Sequence, residues 1–248
     1  SHIVMIELSA AEIAAITAGQ ISGTLEPATT VTDGTVDSRT VTAESFFIAK
    51  PGETTDGHFF IQSALEAGAR FALAERETTD EDGNAHPAIL VEDVVDAMGL
   101  IAAEIVKRIR AHSPTTVYGI TGSAGKTTTK DLLKAICSAD GKTTAPIGSY
   151  NSEVGVPLTV FEAELDTKHL ILEMGATGLG HLNYLVGLMP PDIAVVLNVG
   201  HAHAGEFGSQ ENIAIAKAEI LSTLTGDQLA VLNYDDTFVR EMVAKTEG

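Results

Sequence analysis

Residues 121–129 read TGSAGKTTT, and these residue types at this spacing suit the holding of phosphates. Gly122 and Gly125 let the backbone turn so that N–H groups around Ser123 and Ala124 aim at one anion. Lys126 adds a compact positive charge for the outer phosphates. The Thr127 hydroxyl is a ligand for the magnesium that travels with ATP, and Thr128 follows at the helix start. One departure is visible: the general P-loop pattern has glycine five residues before Gly125, and this chain has Ile120 there.

Such a loop needs a strand before it and a helix after it. The apolar run 117–120 predicts the strand. Residues 126–138 predict an amphipathic helix with Leu132, Leu133 and Ile136 on one face. Upstream, Val94, Met98, Ile101, Ile105 and Ile109 recur at helical spacing. Downstream, strands at 169–174, 193–199 and 229–232 alternate with helices near 179–187 and 210–224. Short, fully apolar strands alternating with helices imply a largely parallel sheet covered on both faces. Residues 5–90 differ, mixing helix and strand: a capping box at Ser9 and Glu12, a strand at 46–49, a helix at 59–67, a strand at 71–73 and a polar loop at 77–87. The fold class is therefore α/β, with a small mixed N-terminal domain over 5–90 and a parallel P-loop domain over 91–248.

Ligands of such sheets bind beyond the carboxyl ends of the strands. Glu173 ends the apolar run 169–172, where a buried acid needs a partner. A magnesium at the P-loop would supply one, and capping a neighbouring helix is the other use open to it. Asn198, His201 and His203 follow the third strand. Asn233, Asp235 and Asp236 follow the fourth. Taken alone, each histidine is more often a solvated or structural residue than a metal ligand. Taken together, polar residues after all four strands favour an ATP–magnesium site.

Composition sets bounds. The 248 residues hold one or two domains. Asp and Glu number 34 against 15 Lys and Arg, a net charge of −19, which argues against nucleic acid and anionic membranes. No apolar run is long enough to insert into a bilayer. The single Cys137 reads as a small core residue, and one cysteine fits a reducing cytoplasm.

These residues are similar to those of the Mur ligases of peptidoglycan synthesis. The family's nucleotide loop has the spacing T-G-x-x-G-K-T, which accounts for Ile120. Residues 151–159 (NSEVGVPLT) resemble the family's N-N-E-x-G-V-P-L-T, with Ser152 in place of the second Asn. Residues 172–176, His203 with Phe207 to Ser209, and the AKAEI of 216–220 are further matches. Asp37, Ser38, Arg39, the run 46–52 and Asp56-Gly57-His58 look like the family's uridine-nucleotide domain.

The resemblance implies roles. Gly122, Ser123, Ala124, Gly125, Lys126, Thr127 and Thr128 would bind ATP. Thr127 and Glu173 would hold magnesium, with His203 and a carbamylated Lys217 serving a second ion. Lys126, Lys217 and His203 would carry catalysis. Ser38, Arg39, Asp56 and Asn151 would contact the UDP substrate. Within the family, the pattern is nearest the members that join D-alanyl-D-alanine to UDP-N-acetylmuramoyl-tripeptide through an acyl phosphate. The members adding lysine or diaminopimelate one step earlier are one alternative, and a nucleotide-binding module without transfer chemistry is another. The family has further ATP-domain residues and a third domain, so this chain is expected to be a truncated form, inactive alone, of a cytoplasmic ligase that is monomeric at full length.

Overall fold

The computed structural model describes residues 6–148, 150–200 and 207–248. By compactness the chain divides into residues 1–105 and 106–248.

The first unit opens with β1 (Leu8–Ser9) and α1 (Ala10–Thr17). The capping box is present: Ser9 Oγ accepts from Glu12 N, and Glu12 Oε1 accepts from Ser9 N, both at 3.1 Å. Next come β2 (Gln20–Ser22), β3 (Thr30–Val31), β4 (Asp33–Thr35), β5 (Ser45–Ile48), α2 (Ile61–Glu66), β6 (Ala72–Ala74) and β7 (Ala88–Leu90). β1 and β3 form a small antiparallel pair. The other strands form a sheet in the order β2-β7-β6-β5-β4, antiparallel only between β2 and β7. Phe46 and Phe71 stack in its core with ring centroids 5.7 Å apart. The helix expected at 59–67 is two pieces, a 3-10 turn at Gly57–Phe60 and then α2. Asp56 starts that turn by accepting from His58 N, which the apolar pattern does not register.

Helix α3 (Val94–His112) begins where Asp93 accepts from the backbone of Val95 and Asp96. Its buried residues include Met98, Ile101, Ile105 and Ile109, the spacing expected from the sequence.

The second unit contains β8 (Thr116–Thr121), α4 (Lys126–Asp140), β9 (Thr143–Thr144), α5 (Gly155–Phe161), β10 (His169–Glu173), α6 (His181–Leu188), β11 (Ile193–Val196), α7 (Gln210–Ala218), β12 (Leu229–Leu232) and α8 (Thr237–Arg240). Its sheet runs β12-β11-β8-β10-β9, and every pairing is parallel. The loops after β8, β10, β11 and β12 therefore share one edge. Asp192 fixes the opposite end: its carboxylate accepts from Val117 N at 2.8 Å and from Arg110 at 3.0 Å.

Three expectations are corrected here. In α4, Leu132 and Ile136 are exposed; Leu133 and Cys137 pack with Ile120 and Ile171, and Lys130 is buried as well. The helix expected over 210–224 is α7 followed by a separate 3-10 turn at Glu219–Leu221. The strand expected to reach 199 stops at Val196, because 197–200 turns to bond the loop after β8. Cys137 is buried and free, as read from the sequence. The sequence reading did not identify α5, whose Pro157 falls in the first turn, where no intrahelical N–H is needed.

Candidate functional site

The loop at 121–125 joins β8 to α4 at the carboxyl edge of the parallel sheet. Gly125 is the N-cap of α4 at φ +82°, a conformation open to glycine and strained for other residues. At Gly122 the constraint is space: an added Cβ would lie 2.9 Å from Leu197 Cβ. Lys126 curls back, its Nζ donating to Gly122 O at 2.6 Å. Thr127 and Thr128 sit in the first turn of α4, whose leading N–H groups have no intrahelical acceptor. Ser123 and Ala124 both donate their backbone N–H to Asn198 Oδ1.

Glu173 ends β10 beside this loop, in register with Ile120 of β8. It is 1% exposed, and its Oε2 has no hydrogen-bond partner among the described residues. Burial raises its pKa; Lys126, Lys130 and a hydrogen bond from Asn151 pull it back down. Lys130, one helical turn after Lys126, is buried and pairs with Asp131 at 2.8 Å. Sequence reasoning missed Lys130, although a spacing of four places it on the face of Lys126.

Lys217, near the end of α7, is buried. Burial, followed by the charge of Lys126, brings its pKa down to about 8. The neighbouring Glu219 is not its partner: that carboxylate caps α6, accepting from Gly180 N at 2.8 Å and Asn183 N at 3.1 Å. Lys126 is thus within electrostatic reach of both Lys217 and Glu173. His201 and His203 lie outside the described residues.

Asn151 belongs to this unit. Its carbonyl accepts from Gly175 N at 2.8 Å, and its side chain reaches Glu173. Farther along the same motif, Glu153 Oε2 and His181 Nε2 lie 3.7 Å apart.

The other predicted contacts are in the first unit. Asp37, Ser38 and Arg39 line an open cleft of about 590 Å³ together with Lys50, Thr55 and Phe60. Arg39 is forked onto Asp37, with bonds of 3.0 and 2.9 Å, which lowers the Asp37 pKa. Asp56 stands next to the cleft-lining Thr55 and Gly57 in the chain, and its oxygens are engaged: Oδ1 by His58 Nδ1 at 2.7 Å and Oδ2 by Arg76 at 2.9 Å. His58 Nε2 accepts from Glu75 N, so the ring is neutral and carries its proton on Nδ1.

A glycine-lysine-threonine loop at the carboxyl edge of an all-parallel sheet defines the class, a P-loop α/β protein. The chain belongs to the Mur ligase family. The family model described as the Mur ligase middle domain matches residues 120–248, and that described as the Mur ligase family, catalytic domain, matches residues 31–106. The chain is 40% identical, over 98% of its length, to the UDP-N-acetylmuramoyl-tripeptide--D-alanyl-D-alanine ligase of Mycobacterium bovis, of which it covers 51%. The crystal structure of MurF from Acinetobacter baumannii superposes with a TM-score of 0.86 at 29% identity, covering 98% of this chain and 52% of that one. MurF ligase from Thermotoga maritima, solved in complex with ADP, gives a TM-score of 0.74 at 36% identity, with 86% and 48% covered. The chain spans about half the length of the curated relatives it matches. Among the described residues no helix is long and apolar enough to cross a membrane.

Proposed function

We propose that this chain supplies the UDP-substrate and ATP-binding parts of a ligase that joins D-alanyl-D-alanine to UDP-N-acetylmuramoyl-tripeptide. The observation that carries the reading is Glu173, a buried carboxylate with an unpartnered oxygen beside the P-loop lysine. Hard divalent cations take oxygen ligands, so the Glu173 carboxylate and the Thr127 hydroxyl fit magnesium. His203 and a carbamylated Lys217 would complete a second magnesium site. Magnesium held there would supply positive charge against the phosphate oxygens.

The chain's own groups perform the rest. Lys126 and the first-turn amides of α4 at Lys126, Thr127 and Thr128 bind and orient the ATP phosphates, and the turn from Gly122 to Gly125, whose Ser123 and Ala124 amides are held by Asn198, shapes the site. The tripeptide carboxylate attacks the γ-phosphorus and ADP leaves; the D-alanyl-D-alanine amine then attacks the acyl carbonyl of the acyl phosphate, releasing inorganic phosphate and a proton as the amide forms. Both reactants of the first step are anionic, so Lys126 and Lys130 lower the repulsion between them. At pH 7 about a tenth of Lys217 is neutral, the form that reacts with carbon dioxide. Ser38 and Arg39 in the first-unit cleft hold the uridine-nucleotide end, with Asp56 beside them, and Asn151 serves the substrate near Glu173. The ligase works in the cytoplasm as a monomer and uses neither nucleic acid nor membrane insertion.

Calorimetric titration with UDP-N-acetylmuramoyl-tripeptide, UDP-N-acetylmuramoyl-dipeptide and Mg-ATP tests this. Preference for the tripeptide together with Mg-ATP binding supports the reading. Preference for the dipeptide points to the ligase one step earlier. ATP affinity indifferent to loss of the Glu173, His203 and Lys217 side chains points to a binding module without transfer chemistry.

A further inference from the structure

The proposed chemistry leaves three features unused: an apolar groove between α7 and α8, the facing Glu153 and His181, and the segment at 197–200 behind the P-loop. Asn198 grips the loop with both ends of its amide. Oδ1 accepts from Ser123 N at 2.8 Å and Ala124 N at 2.9 Å, while Nδ2 donates to Ala124 O at 2.9 Å. One residue on either side adds to the grip. Gly200 N donates to Ser123 Oγ at 2.7 Å, and the Leu197 side chain fills the space in front of Gly122 and Gly125.

The gripping segment is itself held from behind. Asn233 Nδ2 donates to Leu197 O at 2.8 Å, Asp236 Oδ2 accepts from Val199 N at 3.0 Å, and Gln210 Nε2 donates to Val199 O at 3.1 Å. A continuous set of bonds therefore runs from the end of β12, through 197–200, to the P-loop. The geometry divides the loop's donors. The Ser123 and Ala124 amides are satisfied by a neutral side chain. The amides of the first turn of α4 have no intrahelical acceptor and remain for an anion.

We propose that Asn198 is a positioning residue for the nucleotide phosphates: by fixing Ser123 and Ala124 it sets the loop so that the first-turn amides and Lys126 converge on one site. This rests on the nucleotide reading above. A glycine-containing loop has much freedom to lose on binding, and a brace that removes it beforehand strengthens binding without touching the ligand.

The test uses this chain, Mg-ATP calorimetry, and amide hydrogen exchange by NMR on the wild type, Asn198→Ala and Asn198→Asp. In the wild type the Ser123 and Ala124 amides exchange slowly. In Asn198→Ala the Ala124 amide loses protection, the Ser123 amide, which keeps the residue 198 carbonyl at 3.3 Å, loses part of it, amides of β8 and β10 keep theirs, and Mg-ATP binds about ten- to a hundredfold more weakly. Asn198→Asp keeps an acceptor in place and restores protection at both amides, a rescue that a general loss of structure would not give. Wild-type binding with Asn198→Ala affinity within about twofold would overturn the inference while leaving the nucleotide reading intact. Unprotected Ser123 and Ala124 amides in the wild type would overturn it too, even if the alanine variant does not fold. A wild-type chain that fails to bind Mg-ATP would overturn both.

Discussion

Replacing Lys217 with methionine should stabilise the unliganded chain while weakening its function. Lys217 is 5% exposed, and its pKa falls from an ordinary 10.5 to about 8, first through burial and then through Lys126. Folding therefore favours the neutral amine. Because the folded value is depressed, the stability that the group contributes is full above the unfolded value and is lost as pH falls through the folded one. At about 1.36 kcal/mol per pH unit, holding the ammonium at pH 7 costs about 3 kcal/mol, and the cost falls to about 1 kcal/mol at pH 10. Water entry and relaxation reduce both figures, so a gain of about 1–3 kcal/mol at neutral pH is the fair expectation for a methionine of similar shape. The assay is urea unfolding of the wild type and Lys217→Met in carbon-dioxide-depleted buffer between pH 7 and 10. The gap between the two should narrow by about 2 kcal/mol across that range. A gap independent of pH, or a methionine variant less stable at pH 7, would refute the assignment of a strained ammonium. In bicarbonate the wild type should regain stability as the carbamate forms, since an anion beside Lys126 reverses the unfavourable pairing; carbon-13 NMR with labelled bicarbonate would register that species.

Three further outcomes follow from local geometry. Asp56→Asn should cost about 1–2 kcal/mol at pH 7, because the carboxylate takes charge-assisted bonds from His58 and Arg76. Its pKa is depressed mainly by the His58 backbone and ring bonds, so the wild-type advantage holds above pH 4 and shrinks as acid is added, as paired melts would record. Glu219→Ala should cost about 1–2 kcal/mol by uncapping α6, and Glu219→Gln should recover part of it in thermal melts. Gly125→Ala should cost about 1 kcal/mol or more from its positive φ, since the added Cβ would meet only Leu197 Cδ1, at an ordinary contact distance of 3.8 Å. Mg-ATP binding should weaken with it, and unchanged affinity would mean that the loop tolerates a side chain at the helix N-cap.

The parallel sheet and the loop were legible because short apolar runs and a glycine-lysine-threonine sequence are local signals. β2, β4, β7 and β9 were not, since strands of two or three residues leave no period to count. The inward face of α4 was misread for a definite reason. An apolar pattern counts Leu132 and Ile136, which are exposed, and cannot count Lys130, which is buried on the side of Leu133 and Cys137. A buried lysine is intelligible only once Glu173 is known to stand across from it, which is information about tertiary structure. Asn198 was visible as a polar residue after a strand, but its partners are 74 and 75 residues away. Asn151 was grouped with Ser38 and Arg39 on resemblance, and its contacts with Glu173 and Gly175 depend on where α5 and β10 meet.

The charge pattern explains why the site is built from so few cations. A chain of net charge −19 repels a triphosphate at long range, so attraction must be local and weakly screened. Lys126 supplies it at the loop, and Lys130 supplies it from a buried position one turn later. Each has a cost in the protein alone: Lys126 disfavours the ammonium of Lys217, and burial disfavours the ionised form of Glu173. On the proposed reading, magnesium and nucleotide together would reverse both costs, since the metal would favour the Glu173 carboxylate and the phosphates would screen the lysines from one another. Binding free energy of this kind appears as stability of the second unit. Saturating Mg-ATP should therefore raise its unfolding midpoint in the wild type more than in Glu173→Gln, whereas a loop that bound phosphate without the carboxylate would give equal shifts in the two.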